Sequence, residues 1–309
     1  MRRIALVASS IFLLASTPAL AAKHHHPKPK KATVALGITG TAAQYTALRH
    51  QGLPLSIRAT WESWSEGRSP EEILSEDQEM KATPLVNWEP DDTANLGNPS
   101  YSLQAILEGR LDYYIRSWAE TIKAYKKPVY LRFAHEMNGS WYPWSKSGPG
   151  VYVAAWQHVW NIFHAIGAKN ALFVWSPDGL IGQQPLHWQE GVVAWYPGTQ
   201  YVNYIAMSTV AFASNVTYGE PYFFERLDFL HRRFNKPMIL PEMKVTAAAR
   251  YPWLRQLKGL LQHRSWIKAL VWSETLSSAQ KGGGFNTGNM DWSLIQDPEA
   301  RKLLKAAVG

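Results

Sequence analysis

The chain has 309 residues, 46% apolar, 13% aromatic and 18% charged, which supplies a large buried core and excludes disorder for most of its length. It contains no cysteine, so neither a disulfide framework nor a zinc–thiolate site is available. Of the net charge of +8, six units come from Arg2, Arg3, Lys23, Lys28, Lys30 and Lys31, with no acid among residues 1–31; the remainder carries only +2 and offers no basic groove for nucleic acid. In chain order, residues 1–22 begin with two arginines, run apolar from Ile4 to Ala15 and end in a small-residue Ala19-Leu20-Ala21 site, the pattern of a secretory signal peptide. The apolar run is shorter than the roughly 20 residues a bilayer span needs, and no later segment reaches that length, so a secreted or periplasmic protein without a membrane span is expected. Residues 23–33 alternate lysine and proline around His24, His25 and His26 and read as a basic flexible linker; the three histidines have no rigid geometry nearby, and no metal is expected.

From residue 34 onward, short apolar or β-branched runs alternate with longer amphipathic ones. Strands are expected at 34–38, 55–60, 83–87, 129–133, 171–175, 204–207, 238–240 and 268–272. Helices are expected over 42–51, 70–80, 111–125, 152–166, 222–234 and 251–262, with a weaker one near 188–195 and a last one after Asp297-Pro298. Ser69-Pro70-Glu71-Glu72 offers an N-cap, a first-turn proline and a capping-box glutamate. Eight strand–helix repeats within residues 34–309, with no internal linker, predict an α/β fold, a (β/α)8 TIM barrel.

Such a barrel carries its active site at the C-terminal ends of its strands. Those ends are rich in tryptophan and acids: Trp61-Glu62 after the second strand, Trp88-Glu89 after the third, His135-Glu136 after the fourth, Trp175 and Asp178 after the fifth. Glu242 follows the seventh, and Trp272 and Glu274 the eighth, with Asp291-Trp292 beyond. Indole rings with interspersed carboxylates suit a carbohydrate cleft, where sugar C–H faces lie on rings and hydroxyls bond to acids. Trp88, Trp141, Trp144, Trp175 and Trp272 are the expected sugar contacts, whereas Trp118, Trp156 and Trp160 sit in helical stretches and belong to the core. Glu136 and Glu242 each end an apolar run where an acid is costly to bury, and they are the candidate catalytic pair. Alternation along the fourth strand places Arg132 on the side of Glu136, as a support for the Glu242 carboxylate.

The segment Leu131-Arg132-Phe133-Ala134-His135-Glu136-Met137-Asn138-Gly139-Ser140-Trp141-Tyr142-Pro143-Trp144 resembles the acid/base segment of glycoside hydrolase family 26. Pro84-Leu85-Val86-Asn87-Trp88-Glu89-Pro90, Trp175-Ser176-Pro177, Tyr196-Pro197-Gly198 and Asp291-Trp292 resemble further segments of that family, so the likeness covers roughly residues 34–305. The resemblance implies an exported retaining endo-β-glycanase needing no cofactor and acting as a monomer on a polysaccharide. Glu136 would be its acid/base and Glu242 its nucleophile, with His135 touching the sugar at the cleavage point and Glu89, Asp291 and Trp292 among the substrate contacts. The chain departs from the family pattern at Pro241 and Met243, which flank Glu242, and at Val210, where the family carries a tyrosine that bonds the nucleophile. Trp141-Tyr142-Pro143-Trp144 is closer to glucan-cleaving than to mannan-cleaving members, which favours a mixed-linkage β-glucan over a β-mannan.

Other chemistries fit less well. His135-Glu136 lacks the second histidine of a zinc hydrolase helix, no Gly-x-Ser-x-Gly run occurs, and Gly37-Ile38-Thr39-Gly40 reads as a turn rather than a phosphate loop. The rival from another class is a non-catalytic polysaccharide-binding protein on a glycosidase barrel.

Overall fold

Period-2 alternation in each apolar run lets one strand face the barrel axis and the surrounding helices at once. The computed structural model describes residues 34–66, 68–179, 185–211, 221–274 and 292–309, so the leader and linker expected at 1–33 and the site candidate Asp291 lie outside the described residues. The strands are β1 (Ala35–Thr39), β2 (Leu55–Ser63), β3 (Thr83–Glu89), β4 (Val129–Phe133), β5 (Ala171–Trp175), β6 (Tyr204–Ala206), β7 (Thr209–Ala211), β8 (Met238–Val245) and β9 (Ile267–Ser273). All pair in parallel. The run β6-β5-β4-β3-β2-β1-β9-β8 closes through a β6–β8 pairing, giving the expected eight-stranded barrel, and β7 is a short extra strand on the upper part of β8.

The helices are α1 (Ala42–His50), α2 (Pro70–Glu79), α3 (Leu103–Leu107), α4 (Asp112–Tyr125), α5 (Gly148–Ile166), α6 (Pro185–Val193), α7 (Pro221–Phe234), α8 (Ala247–Gln262) and α9 (Pro298–Val308). α2 starts at the anticipated capping box: Ser69 Oγ accepts from the Glu72 amide at 3.2 Å and Glu72 Oε2 from the Ser69 amide at 3.1 Å. α5 begins four residues before the expected start, because Gly148-Pro149-Gly150 is compatible with a first turn and the glycine–proline spacing masks it in sequence. Among the described residues no helix is long and apolar enough to cross a membrane.

The barrel interior holds a small cluster of Ile57, Ala59, Leu85, Val174, Ala206, Ile239, Ala269 and Val271, with Tyr130 and Tyr204 packed against it. The larger core lies between wall and helices. Gly37 sits in β1 rather than in a turn. An added methyl there would lie 2.7 Å from both Cβ and the carbonyl oxygen of Ile57, so glycine is what lets β1 approach β2. Gly37→Ala is therefore expected to lower unfolding stability by about 1–3 kcal/mol, read as a shift of the denaturation midpoint. An unchanged midpoint would show that the two strands part without cost.

Candidate active site

One step farther along the inward face of the strands, above the small apolar cluster, come Trp61, Asn87, Arg132, Ser176 and Ser208. Each lies two residues beyond an inward apolar neighbour, namely Ala59, Leu85, Tyr130, Val174 and Ala206. Arg132 is fully buried and spends its fork on this layer. Nε donates to Ser176 Oγ at 3.0 Å, Nη1 to Asn87 Oδ1 at 2.8 Å and Nη2 to Ser208 Oγ at 2.8 Å. Its guanidinium also lies 3.7 Å from Glu136 Oε1 and 3.7 Å from Glu242 Oε2.

The chain bends sharply after β4. Ala134 and Glu136 adopt left-handed φ of 41° and 53°, a conformation that costs a non-glycine residue about 1–3 kcal/mol. Two bonds hold the bend: the Glu136 amide donates to the Ser176 carbonyl at 2.7 Å, and Trp144 Nε1 to the His135 carbonyl at 2.7 Å. The result aims Glu136 inward, where Ser208 Oγ donates to its Oε1 at 2.8 Å and Trp141 Nε1 to its Oε2 at 3.0 Å.

Glu242 arrives by a different device. Leu240 pairs with Leu270 but Met243 with Trp272, so β8 gains one residue on β9 between them. Pro241, which has no amide proton to give a ladder, sits in that bulge, and the extra residue turns Glu242 toward the axis. Ser208 Oγ is 2.8 Å from Glu136 Oε1 and 3.5 Å from Glu242 Oε2, so those oxygens are no farther apart than these two distances laid end to end. Both carboxyl groups are thus within reach of a single hydroxyl, the kind of close placement that a retaining pair, about 5–5.5 Å apart, requires. Lys244 forms an ion pair with Glu242 Oε1.

The two acids are electrostatically unequal. Burial and the neighbouring Glu242 charge raise the Glu136 carboxyl above the usual glutamate range, against the pull of Arg132 and Ser208. Burial acts on Glu242 in the same direction, but Lys244 and then Arg132 outweigh it and hold that carboxyl below the usual range. As pH rises, Glu242 loses its proton first and Glu136 keeps one longer. His135 is fully buried, with Nε2 at 2.8 Å from the Tyr142 hydroxyl and 3.9 Å from Glu89 Oε1. Burial, with Arg132 and Lys244 nearby, pushes His135 well below the usual histidine range, so the ring is neutral. Glu89 is pushed well above its usual range, by burial first and by Asp91 second.

Several expected sugar contacts lie elsewhere. Trp88, Trp175 and Trp272 are fully buried on the outer side of the wall, because the inward positions are their neighbours Asn87, Val174 and Val271. Trp88 packs in tilted contact with Trp64, Trp118 and Phe133 at centroid distances of 4.6, 5.3 and 5.7 Å. Trp175 Nε1 donates to the Trp195 carbonyl, and Trp272 Nε1 to the buried Trp292. Trp144 lies flat on Tyr142 at 4.3 Å as a buttress for the bend. Glu136, Glu242, His135, Glu89, Arg132 and Trp141 do converge, joined by Trp61, whose ring is 5.2 Å from that of His135. Sequence inspection missed Asn87, Ser176, Ser208 and Lys244. Ser208 occupies the space between the two acids, while Val210 falls in β7 opposite Lys244. The other acids at the rim, Glu62 and Glu274, are buried partners of Arg68 and of the Leu294 and Ile295 amides.

Residues 86–256, more than half of the chain, match the family model of glycosyl hydrolase family 26. The chain belongs to this family. Among curated proteins, Endoglucanase H of Acetivibrio thermocellus is 25% identical over 240 residues, covering 73% of this chain and 24% of that protein. A mannan endo-1,4-beta-mannosidase of Caldalkalibacillus mannanilyticus is 30% identical over 90 residues, covering 26% and 16%. The chain thus spans about a quarter or less of the length of the curated relatives it matches. Among solved structures, a family 26 endo-β-1,4-mannanase of Cellulomonas fimi aligns with a TM-score of 0.65 at 15% identity, over 87% of this chain and 70% of that one. A family 26 β-mannanase of Bacteroides ovatus aligns with a TM-score of 0.58 at 16% identity, over 78% and 81%. At these identities the likeness is one of fold.

Lys244→Met should move the Glu242 titration upward and Lys244→Arg should restore it, followed by carbon-13 NMR of labelled glutamate carboxyls. A Glu242 resonance unmoved by Lys244→Met would leave Arg132 alone responsible for its low value.

Proposed function

We propose that the chain is an exported retaining endo-β-glycanase that cleaves internal β-1,4 bonds of a polysaccharide by double displacement. The observation that carries this reading is the pair Glu136 and Glu242, held within reach of one serine hydroxyl with their proton affinities driven apart. Glu136, with the higher affinity, donates its proton to the departing glycosidic oxygen as the ionised Glu242 attacks the anomeric carbon. The C–O bond to the leaving sugar breaks and a covalent glycosyl–Glu242 ester forms. Glu136, now a carboxylate, takes a proton from the incoming water, whose oxygen displaces Glu242 and restores both groups.

Lys244 and, after it, Arg132 keep Glu242 charged, and the hydrogen bonds of Arg132 to Asn87, Ser176 and Ser208 fix where its own charge sits. Neutral His135 and Glu89 form the wall beside Glu136 where the sugar at the cleavage point would bond. The substrate favoured by the Trp141-Tyr142-Pro143-Trp144 segment is a mixed-linkage β-glucan, with β-mannan next. Two of the matched relatives, an endoglucanase and a mannan endo-1,4-beta-mannosidase, agree with this pair, while a third is a beta-1,3-xylanase. Residues 1–22 support export to the periplasm or the exterior.

Purified protein should release oligosaccharides from mixed-linkage glucan or mannan, with xylan as the control. Glu136→Gln should slow hydrolysis of the polymer by about 10²–10⁴-fold while sparing aryl glycosides, whose leaving groups need little protonation. Equal loss on both substrate types would remove Glu136 from the acid role. A 2-fluoro glycosyl fluoride should label Glu242, and a label on any other residue would overturn the nucleophile assignment.

A further inference from the structure

One hydroxyl stands between the two acids, and it cannot donate to both at once. Ser208 follows β6 and is buried. Its Oγ has one proton to give and two lone pairs. One lone pair is taken by Arg132 Nη2 at 2.8 Å. That leaves one proton and one lone pair for Glu136 Oε1 at 2.8 Å and Glu242 Oε2 at 3.5 Å. Rotation about the Cβ–Oγ bond turns the proton from one carboxyl to the other, and a shift of under about 1 Å brings the Glu242 oxygen to ordinary hydrogen-bond length.

The negative charge of the pair moves during a double displacement. Before reaction Glu136 holds the proton and Glu242 is ionised; in the glycosyl ester Glu242 is neutral and Glu136 is the carboxylate. A hydrogen bond to an ionised acceptor is about twice as strong as one to a neutral acceptor, so the favoured partner of the hydroxyl changes when the charge does. The free lone pair suits the first state, because a protonated Glu136 donates to it while the hydroxyl donates onward to Glu242. The other groups around the pair lack this freedom. Arg132, Lys244 and the Trp141 indole are donors without an acceptor atom, and the indole reaches only Glu136 Oε2. Glu89 and Tyr142 also feel the charge of the pair, and the Tyr142 hydroxyl is engaged with His135 Nε2 at 2.8 Å.

We propose that Ser208 is a positioning residue that hands its hydrogen bond from Glu242 to Glu136 as the glycosyl ester forms, and back again as water releases the sugar. The proposal rests on the double-displacement reading. A handover and a fixed bond to Glu136 differ in which ionisation they assist. With one hydroxyl for two carboxylates, the first ionisation of the pair, that of Glu242, gains a charged hydrogen bond, and the second gains none, because the hydroxyl is already engaged. Glu136 feels the full pull of Ser208 only once Glu242 is esterified.

The test is carbon-13 NMR titration of the full chain with labelled glutamate carboxyls, free and after trapping with a 2-fluoro glycosyl fluoride. In the free chain Ser208→Ala should raise the Glu242 titration by about one to two pH units, the effect of one hydrogen bond to a charged group, and leave that of Glu136 in place. In the trapped ester the same substitution should raise the Glu136 titration by a similar amount. Ser208→Thr, which keeps the hydroxyl, should restore both values. Where Ser208→Ala does not fold, Ser208→Cys, a weaker donor in the same place, is read for the same directions. A rise confined to Glu136 in the free chain, an equal rise of both acids, or no shift would overturn the handover while a label on Glu242 keeps the double-displacement reading standing. If the fluoride leaves Glu242 unlabelled, that reading falls and the handover with it.

Discussion

A guanidinium with no exposed surface, placed where a closed barrel opens, is the constraint from which the rest of this site follows. Removing Arg132 from water is expensive unless every N–H finds an acceptor and its charge finds a counter-charge. The protein answers with neutral acceptors on three neighbouring strand ends, Asn87, Ser176 and Ser208, and with two carboxylates at 3.7 Å. The neutral contacts set the orientation of the fork and the carboxylates offset its charge. Because the fork is planar and rigid, its position fixes the distance between the acids it touches.

Two local irregularities deliver those acids. The left-handed backbone at Ala134 and Glu136 and the bulge at Pro241 are each unfavourable in isolation, and each places one glutamate at the axis. The chain thus stores strain at the strand ends and secures it with bonds to the adjacent wall, such as those from the Glu136 amide and the Trp144 indole. The inequality between the two carboxyls then comes from the placement of cations. Lys244 stands beside Glu242, while Glu136 has an indole and a hydroxyl and feels its neighbour's negative charge. In a structure where burial raises both acids, that asymmetry is enough to separate an acid from a nucleophile.

The fold was legible because apolar runs of period 2 and capping signals such as Ser69-Pro70-Glu71-Glu72 are local. β7 and α3 escaped notice, being three and five residues long and without a full period to display. The catalytic candidates were legible because an acid after an apolar run is conspicuous. The tryptophans were not, since being near a strand end says nothing about which face a ring occupies. Parity decides it, and Asn87, Val174 and Val271 hold the inward positions beside Trp88, Trp175 and Trp272. Ser176 and Ser208 were passed over for a related reason, as small hydroxyls look like ordinary strand residues until Arg132 is seen to need acceptors. No local pattern announced the register shift at Pro241 either, because it is a property of the pairing between β8 and β9.

The central claim is that the Arg132 layer holds Glu136 and Glu242 too close for a water to enter between them and the sugar from the far side. The stereochemistry of hydrolysis reads that distance directly. Proton NMR of the anomeric region during cleavage of a β-linked hexasaccharide should show the β-anomer of the new reducing end first, with the α-anomer growing in only by mutarotation. Initial release of the α-anomer would mean inversion, and would contradict the account.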